Sequence, residues 1–518
     1  MMMKTLCALA LVLASPALAQ TAPPSGEIEA VTVHGDRPAP KFDRRLFGQF
    51  AEHLGTGIYG GIWVGPGSRI PNVQGYRRDV LDALKAIRVP VIRWPGGCFA
   101  DEYHWREGIG PKAQRKVKIN THWGGVTEDN AVGTHEFMNF SELVGAEPYV
   151  SGNVGNGTPS EMAEWVEYMT SPSGSSLAKE RAANGRKQPW KLPMFGLGNE
   201  LWGCGGNMRP EYAADLTRRY GTFVKMPEGE KVMKIASGAN EADVNWTEVM
   251  MRDAGGQFDG IGVHYYTIPD TWRSKGAATG FDEDAWARTL SKTLRMDEII
   301  TKHAQVMDKY DREKRVALLV DEWGTWYDQE PGSHPGFLYQ QNSLRDALVT
   351  SLNFDIFARH TDRLRGANIA QMVNVLQAMM LTDGARMVRT PTYWVFDMYK
   401  DYQDGIVLPV DVESRWYSRK QWVMKAVSAS AVRGADGVVH MGLTNVDPSR
   451  PASISVKLDG VTGASVTGRV LTAGAIDAHN TFDAPDTVRP AAFTGATLAG
   501  GTLTVTLPPK SVVMLDIR

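Results

Sequence analysis

Residues 317–323 read Ala317-Leu318-Leu319-Val320-Asp321-Glu322-Trp323, and residues 194–200 read Met194-Phe195-Gly196-Leu197-Gly198-Asn199-Glu200. Each is a short apolar run that ends in an acid. A strand wetted on one face alternates apolar and polar residues, whereas a strand covered on both faces reads as a continuous apolar run. The same texture recurs at Leu46–Glu52, Val89–Trp94, Glu147–Ser151, Lys234–Ser237, Gly260–His264 and Asn368–Asn374. Amphipathic segments with helical spacing lie between these runs, at Tyr76–Ile87, Thr134–Val144, Ser160–Met169, Pro210–Val224, Leu290–Tyr310 and Ser343–Ala358. Eight strands alternating with helices over residues 44–400 predict an α/β fold, a (β/α)8 TIM barrel. A doubly wound open sheet is the alternative, but no G-x-G-x-x-G turn opens a helix.

Beyond residue 401 the helical period disappears. Val438–Asn445, Ala452–Leu458, Ser465–Leu471 and Thr502–Leu507 are β-rich and separated by Gly, Asp and Pro. Residues 401–518 are therefore expected to form a β-sandwich, jelly-roll-like in character. The strand-like Glu27–Val33 lies in a segment, residues 20–43, that precedes the barrel and is expected to join this sandwich. Ahead of it, Lys4, the apolar run Leu6–Ala14 and the small-x-small sequence Ala17-Leu18-Ala19 read as a cleavable signal peptide over residues 1–19. That pattern predicts a periplasmic or secreted protein.

Of 518 residues, 56 are Lys or Arg and 58 are Asp or Glu, so no basic excess exists to bind nucleic acid. No later segment has the roughly 18 apolar residues of a membrane span. The 15 Trp are many for this length, and indole faces suit the C–H faces of sugar rings. The 11 His are scattered without a metal-ligand spacing, so neither metal nor cofactor is expected. Of the 3 Cys, Cys7 lies in the signal segment, while Cys98 and Cys204 are either one bridge or two free thiols.

Functional side chains of such a barrel project from the C-terminal ends of its strands. Asn199-Glu200 closes the fourth run and Asp321-Glu322-Trp323 the seventh. Two opposed carboxyls about 5–5.5 Å apart make a double-displacement glycosidase, in which one must hold a proton while the other is ionised. An endo-β-glucanase or xylanase of the same architecture, a non-catalytic polysaccharide-binding protein and a periplasmic structural protein are the alternatives. The last two leave the paired acids without a purpose.

The chain also resembles the retaining α-L-arabinofuranosidases of glycoside hydrolase family 51, over essentially its whole length after the signal segment. The motifs that carry this are Phe50-Ala51-Glu52-His53-Leu54-Gly55, Arg93-Trp94-Pro95-Gly96-Gly97-Cys98-Phe99, Trp105 through Gly108-Ile109-Gly110-Pro111, Gly198-Asn199-Glu200, His264-Tyr265-Tyr266, Asp321-Glu322-Trp323 and Asn368-Ile369-Ala370-Gln371. Asp477-Ala478-His479-Asn480-Thr481-Phe482 and Leu507-Pro508-Pro509-Lys510-Ser511-Val512 are similar to the family's sandwich domain. The resemblance implies exo-acting release of L-arabinofuranose from arabinoxylan, arabinan or their oligosaccharides. It assigns Glu200 as acid/base and Glu322 as nucleophile. It places Asn199 on the sugar 2-hydroxyl, Arg93 and Tyr266 beside Glu322, and Glu52, Cys98, His264 and Gln371 on furanose hydroxyls. Trp123 and Trp326 would flank the aglycone. Homo-oligomers are common in the family and are expected on the same ground. Two stretches depart from its pattern, Gly324-Thr325-Trp326-Tyr327 after the nucleophile and Leu201 through Met208 after the acid/base, and both bear on substrate preference. Cys98 follows the second strand and Cys204 lies four residues past Glu200, so their loops open on one barrel face. Either a Cys98–Cys204 bridge holds the loop of Trp202 beside Glu200, or a free Cys98 thiol touches the furanose.

Overall fold

The computed structural model describes residues 28–518 apart from residues 38, 39 and 173. The expected signal segment, residues 1–19, lies outside the described residues. Eight parallel strands close into a barrel. In barrel order they are Gly48–Phe50, Val91–Trp94, Glu147–Gly152, Met194–Leu197, Met233–Asn240, Gly260–Thr267, Ala317–Thr325 and Leu364–Ile369. A plug of Val91, Tyr149, Met194, Ile235, Ala317 and Leu319 fills the barrel interior. A larger apolar shell between the strands and the helices, including Trp94, Trp165, Trp246 and Trp323, covers the outside.

Several boundaries differ from the apolar pattern, each for a local reason. The eighth strand runs over Leu364–Ile369, not Asn368–Asn374, because the partly exposed Arg365 breaks the apolar run that marks the other strands. The expected helix Leu290–Tyr310 is two helices, Glu283–Thr293 capped by Asp282 and Arg295–Tyr310, with Leu294 at the junction. Tyr76–Arg77 is a short strand, and the helix behind it starts at Arg78.

One irregularity shapes the site. Along the sixth and seventh strands Gly262 pairs with Leu319 and His264 with Glu322, so the seventh strand carries one extra residue. A bulge of this kind breaks the in–out alternation of side chains. Leu319 faces the interior plug and Val320 the outer shell, yet Asp321 and Glu322 both make contacts within the barrel mouth. The approach needs Gly262, since a Cβ there would lie 2.3 Å from Asp321 Oδ1.

The second domain is a sandwich of a five-stranded and a six-stranded sheet. Glu29–His34 is an inner strand of the first sheet, parallel to Ala452–Asp459 and antiparallel to Val410–Glu413. Between the two domains lies the helix Leu344–Arg359, capped by Ser343 in a box with Asp346 and buried along all but its last residue. Its Asp355 accepts hydrogen bonds from Ser428 and Ser430 of the sandwich, at 2.7 and 2.5 Å. Nearby, Trp286 of a barrel helix is fully buried and donates its indole N–H to the Val446 carbonyl at 2.9 Å.

Trp286 joins apolar packing to a cross-domain hydrogen bond, so Trp286→Ala is expected to cost about 3–5 kcal/mol. Trp286→Phe, which orphans the Val446 carbonyl, should cost about 1–3 kcal/mol. Denaturant midpoints of the two variants measure this, and an unshifted midpoint in Trp286→Ala would refute the role given to this contact.

Candidate active site

The site is built around Arg93, on the second strand and 1% exposed. Its Nη1 donates to Glu322 Oε1 at 2.8 Å and to the Asp321 carbonyl at 2.9 Å. Its Nη2 donates to Asn199 Oδ1 at 2.6 Å, and its Nε to Ser151 Oγ at 3.4 Å. The guanidinium also lies 4.6 Å from the ring centroid of Phe50. A buried cation is tolerated only when its donors are satisfied and its charge is matched. Here the match also fixes Glu322. Tyr266 donates to the other oxygen, Oε2, at 2.9 Å. Burial first, and then the charge of Glu322, hold the Tyr266 phenol well above its ordinary value, so it stays a donor.

Glu200 stands across from Glu322. One oxygen of each carboxylate and a ring nitrogen of His264 all lie within 4.8 Å of one another. That is the close spacing of a double-displacement pair, not the about 6.5–9.5 Å that leaves room for an intervening water. His264 Nδ1 is 2.8 Å from Glu200 Oε1 and 3.5 Å from Glu322 Oε2, while Nε2 lies 3.3 Å from Asp321 Oδ1. Burial would lower the imidazole, but Glu322, Asp321 and Glu200 outweigh it and push His264 up to about 10. Burial raises the Glu200 carboxyl above its ordinary range; the His264 hydrogen bond opposes this and the charge of Glu322 adds to it. One carboxyl is thus biased to keep a proton, while the other is clamped between a guanidinium and a phenol.

Glu52, two residues past the first strand, accepts the backbone N–H groups of Gly97 and Phe99 at 2.9 and 3.0 Å. Gln371 Nε2 donates to its other oxygen at 3.2 Å. Burial raises its carboxyl to about 7, against the Phe99 amide and with the help of Glu322. Gly96 and Gly97 are required by space: a Cβ on Gly96 would meet Glu52 Cγ at 2.6 Å, and one on Gly97 would meet Glu322 Oε1 at 2.9 Å. Cys98 follows directly and is bridged to Cys204, with Cα atoms 5.4 Å apart. The free-thiol alternative for Cys98 is thereby set aside. The bridge sits against Glu200, whose Oε2 is 3.5 Å from Cys204 Sγ.

Aromatic side chains wall the mouth. Trp326 meets Tyr266 edge-on at 5.2 Å, and Trp272 meets Trp326 in the same way at 5.3 Å. Trp123 packs, like Tyr266 and Trp326, against the buried cluster of Phe50, Leu54, Ala370, Val375 and Leu376. The structure therefore brings Glu52, Arg93, Cys98, Trp123, Asn199, Glu200, His264, Tyr266, Glu322, Trp326 and Gln371 around one cleft. Sequence reasoning missed three supporting groups. Asp101 accepts the Asn199 N–H at 2.7 Å and those of Val154 and Gly155 at 2.8 Å. Tyr149 donates to Asp321 at 2.9 Å. Trp272, 56% exposed, extends the wall beyond Trp326. Asp101 lies two residues past the Arg93-to-Phe99 motif and outside it, and nothing in sequence marks the three.

Two family models match the chain, one described as the Alpha-L-arabinofuranosidase 1 domain over residues 83–284 and one as the Alpha-L-arabinofuranosidase C-terminal domain over residues 321–511. The chain is 52% identical over 489 residues to a Bacteroides ovatus protein named intracellular exo-alpha-L-arabinofuranosidase, covering 94% of this chain and 95% of that one. It is 30% identical to alpha-L-arabinofuranosidase C of Emericella nidulans, covering 84% of this chain and 88% of the relative. Among solved structures, the family 51 arabinofuranosidase of Xanthomonas axonopodis pv. citri superposes with a TM-score of 0.94 at 59% identity, over 95% of this chain and all of that one. An arabinose complex of the Thermotoga maritima α-L-arabinofuranosidase gives 0.84 at 27% identity, over 94% of this chain and 99% of that one. The Bacteroides ovatus name contradicts the periplasmic or secreted placement read from residues 1–19, and that placement is withdrawn. Nothing in the described residues speaks for it, since residues 1–27 lie outside them.

A hydrogen bond to a charged group contributes about 1.5–3 kcal/mol, so Tyr266→Phe should lower kcat/KM by about tenfold to a hundredfold. Steady-state kinetics alongside a melting curve measures this. A variant with full activity would show that the Tyr266–Glu322 contact does not support the reaction.

Proposed function

The chain belongs to the α-L-arabinofuranosidases of glycoside hydrolase family 51, and from that membership we propose that Glu322 and Glu200 divide a double displacement between them on terminal L-arabinofuranosyl groups. The protein is a glycoside hydrolase of a retaining family acting on arabinose-containing substrates. Endoglucanase, xylanase and binding-protein readings are not favoured. The likeness to a bifunctional glucanase-xylanase, at 13% identity and a TM-score of 0.61, is one of fold alone.

The observation that carries the division of labour is the clamp on Glu322. Its oxygens accept from Arg93 and Tyr266 while Glu200 sits opposite in a position that favours its proton. In the first step a Glu322 oxygen attacks the anomeric carbon, the glycosidic C–O bond breaks, and Glu200 gives its proton to the departing oxygen. In the second, Glu200 takes a proton from water, the water oxygen bonds to the anomeric carbon, and the Glu322 ester bond breaks. His264, 2.8 Å from Glu200, is positioned to compensate the charge that Glu200 gains and loses. Asn199, oriented by Arg93 and Asp101, would meet the 2-hydroxyl. Glu52 and Gln371 would meet hydroxyls on the far side of the ring. Trp123, Trp326 and Trp272 offer apolar faces for the sugar to which the arabinose is attached, which suits side-chain arabinose on arabinoxylan or arabinan.

The first-formed arabinose should keep the α configuration, read by NMR before mutarotation; a β product would refute double displacement. Glu322→Ala should abolish turnover of every substrate. Glu200→Ala should lose about 10²–10⁴-fold on natural glycans but far less on nitrophenyl arabinofuranoside, whose leaving group needs little protonation. Azide should rescue Glu200→Ala and yield an α-linked azide. Equal losses on both substrates would reverse or remove the role given to Glu200.

A further inference from the structure

The Cys98–Cys204 bridge and Glu200 form a cluster that hydrolysis does not use as such. One Sγ of each cysteine and one Glu200 oxygen all lie within 4.8 Å of one another, and all three residues are only partly buried. The two cysteines are also fixed independently of the bond between them. Cys98 lies between Gly97 and Phe99, whose N–H groups are both held by Glu52. Cys204 lies in a loop closed by its own backbone hydrogen bonds, from Gly203 N to the Glu200 carbonyl at 2.7 Å and from Met208 N to the Leu201 carbonyl at 2.7 Å. Trp202 anchors that loop further through Nε1 to the Gly238 carbonyl at 3.1 Å. Cutting the S–S bond therefore leaves both sulfurs beside Glu200.

We propose that reduction of this bridge by a small dithiol turns the corner of the cleft into a binding site for one thiophilic divalent cation, such as Zn²⁺, held by Cys98 Sγ, Cys204 Sγ and the Glu200 carboxylate. The dithiol gives up two electrons and two protons and closes to its own disulfide; the bridge takes up both and opens to two thiols. The cation then displaces those two protons to solvent as the sulfurs coordinate as thiolates. Two sulfurs on one tetrahedral ion, each at about 2.3 Å, stand about 3.8 Å apart, a separation that rotation about the cysteine side-chain bonds supplies at a Cα distance of 5.4 Å. The fourth position faces the cleft. An ion held there occupies the acid/base, so the reduced, metal-loaded enzyme is inactive and the bridged enzyme is indifferent to the metal. This last step rests on the role proposed for Glu200; the site itself does not.

The test uses the full chain carrying Cys7→Ser, so that Cys98 and Cys204 are its only thiols, reduced with a phosphine and titrated with Co²⁺. One equivalent should produce thiolate-to-cobalt charge-transfer absorption in the near ultraviolet, absent from the unreduced chain and lost in Cys204→Ser. Glu200→Gln should keep the absorption but weaken Co²⁺ binding by roughly tenfold or more. In the reduced chain without Cys204→Ser, Zn²⁺ should slow alkylation of both cysteines, a readout that does not depend on how that variant folds. Zn²⁺ should abolish hydrolysis by the reduced chain only, and a chelator should restore it. No absorption in the reduced chain, absorption undiminished by Cys204→Ser, or alkylation unaffected by Zn²⁺ would each overturn the site. A site that forms without loss of hydrolysis would instead count against the role of Glu200.

Discussion

Arg93 brings a full positive charge into the barrel mouth with almost no access to water, and it is stable there because all three of its nitrogens donate to buried acceptors, one of them the Glu322 carboxylate. Those acceptors come from the third and seventh strands and from the loop just past the fourth, and the aromatic ring beneath comes from the first. The barrel is therefore referenced to one group at the point where chemistry occurs. Asn199 and Glu322 are oriented by adjacent nitrogens of the same rigid fork, which keeps their separation constant in a way that two flexible lysines would not. Removing the guanidinium would leave Glu322, Glu52 and Asp321 as neighbouring buried carboxylates with much less positive charge among them, and the site would take up protons or water before it could hold a sugar.

Much of this architecture is legible in sequence for a simple reason. Strands buried on both faces must be apolar throughout, and the acids at their ends interrupt those runs where the polypeptide turns toward solvent. Ala317 through Glu322 announces itself in this way. Leu364–Ile369 does not, because Arg365 places a charge within the strand. The bulge that turns both Asp321 and Glu322 to the site is invisible in one chain segment, since it exists only relative to Gly262 on the neighbouring strand. The pairing of Cys98 with Cys204 and the edge-on contact of Trp272 with Trp326 are likewise tertiary distances, and no local pattern encodes them. The apolar run at Leu6–Ala14 is the opposite case, a local pattern read as an address that the name of a close relative contradicts.

Glu200 itself sits in the left-handed region, with φ of 42°. A residue with a Cβ pays about 1–3 kcal/mol for such a conformation, and it persists only where its surroundings impose it. The surroundings here are dense: Leu201 N donates to Ser237 at 3.2 Å, Gly203 N and Gly205 N fold back on the Glu200 carbonyl, and the bridge pins the turn to the neighbouring loop. Residues 201–208 thus serve to hold the strained Glu200 in place.

The strand Glu29–His34 lies between Val410–Glu413 and Ala452–Asp459. In time, this means the first described strand leaves the ribosome long before either neighbour. At roughly 5–20 residues per second, its partners follow only after tens of seconds, during which the entire barrel has been synthesised. An unpaired strand with Val31 and Val33 on its apolar face is open to wrong partners for that interval. The first described strand can thus be put in place only after residues 410–459 have been made. Closure of this sheet waits on Ala452–Asp459, and a chain truncated before residue 452 would leave the edge of Glu29–His34 that pairs with it permanently exposed.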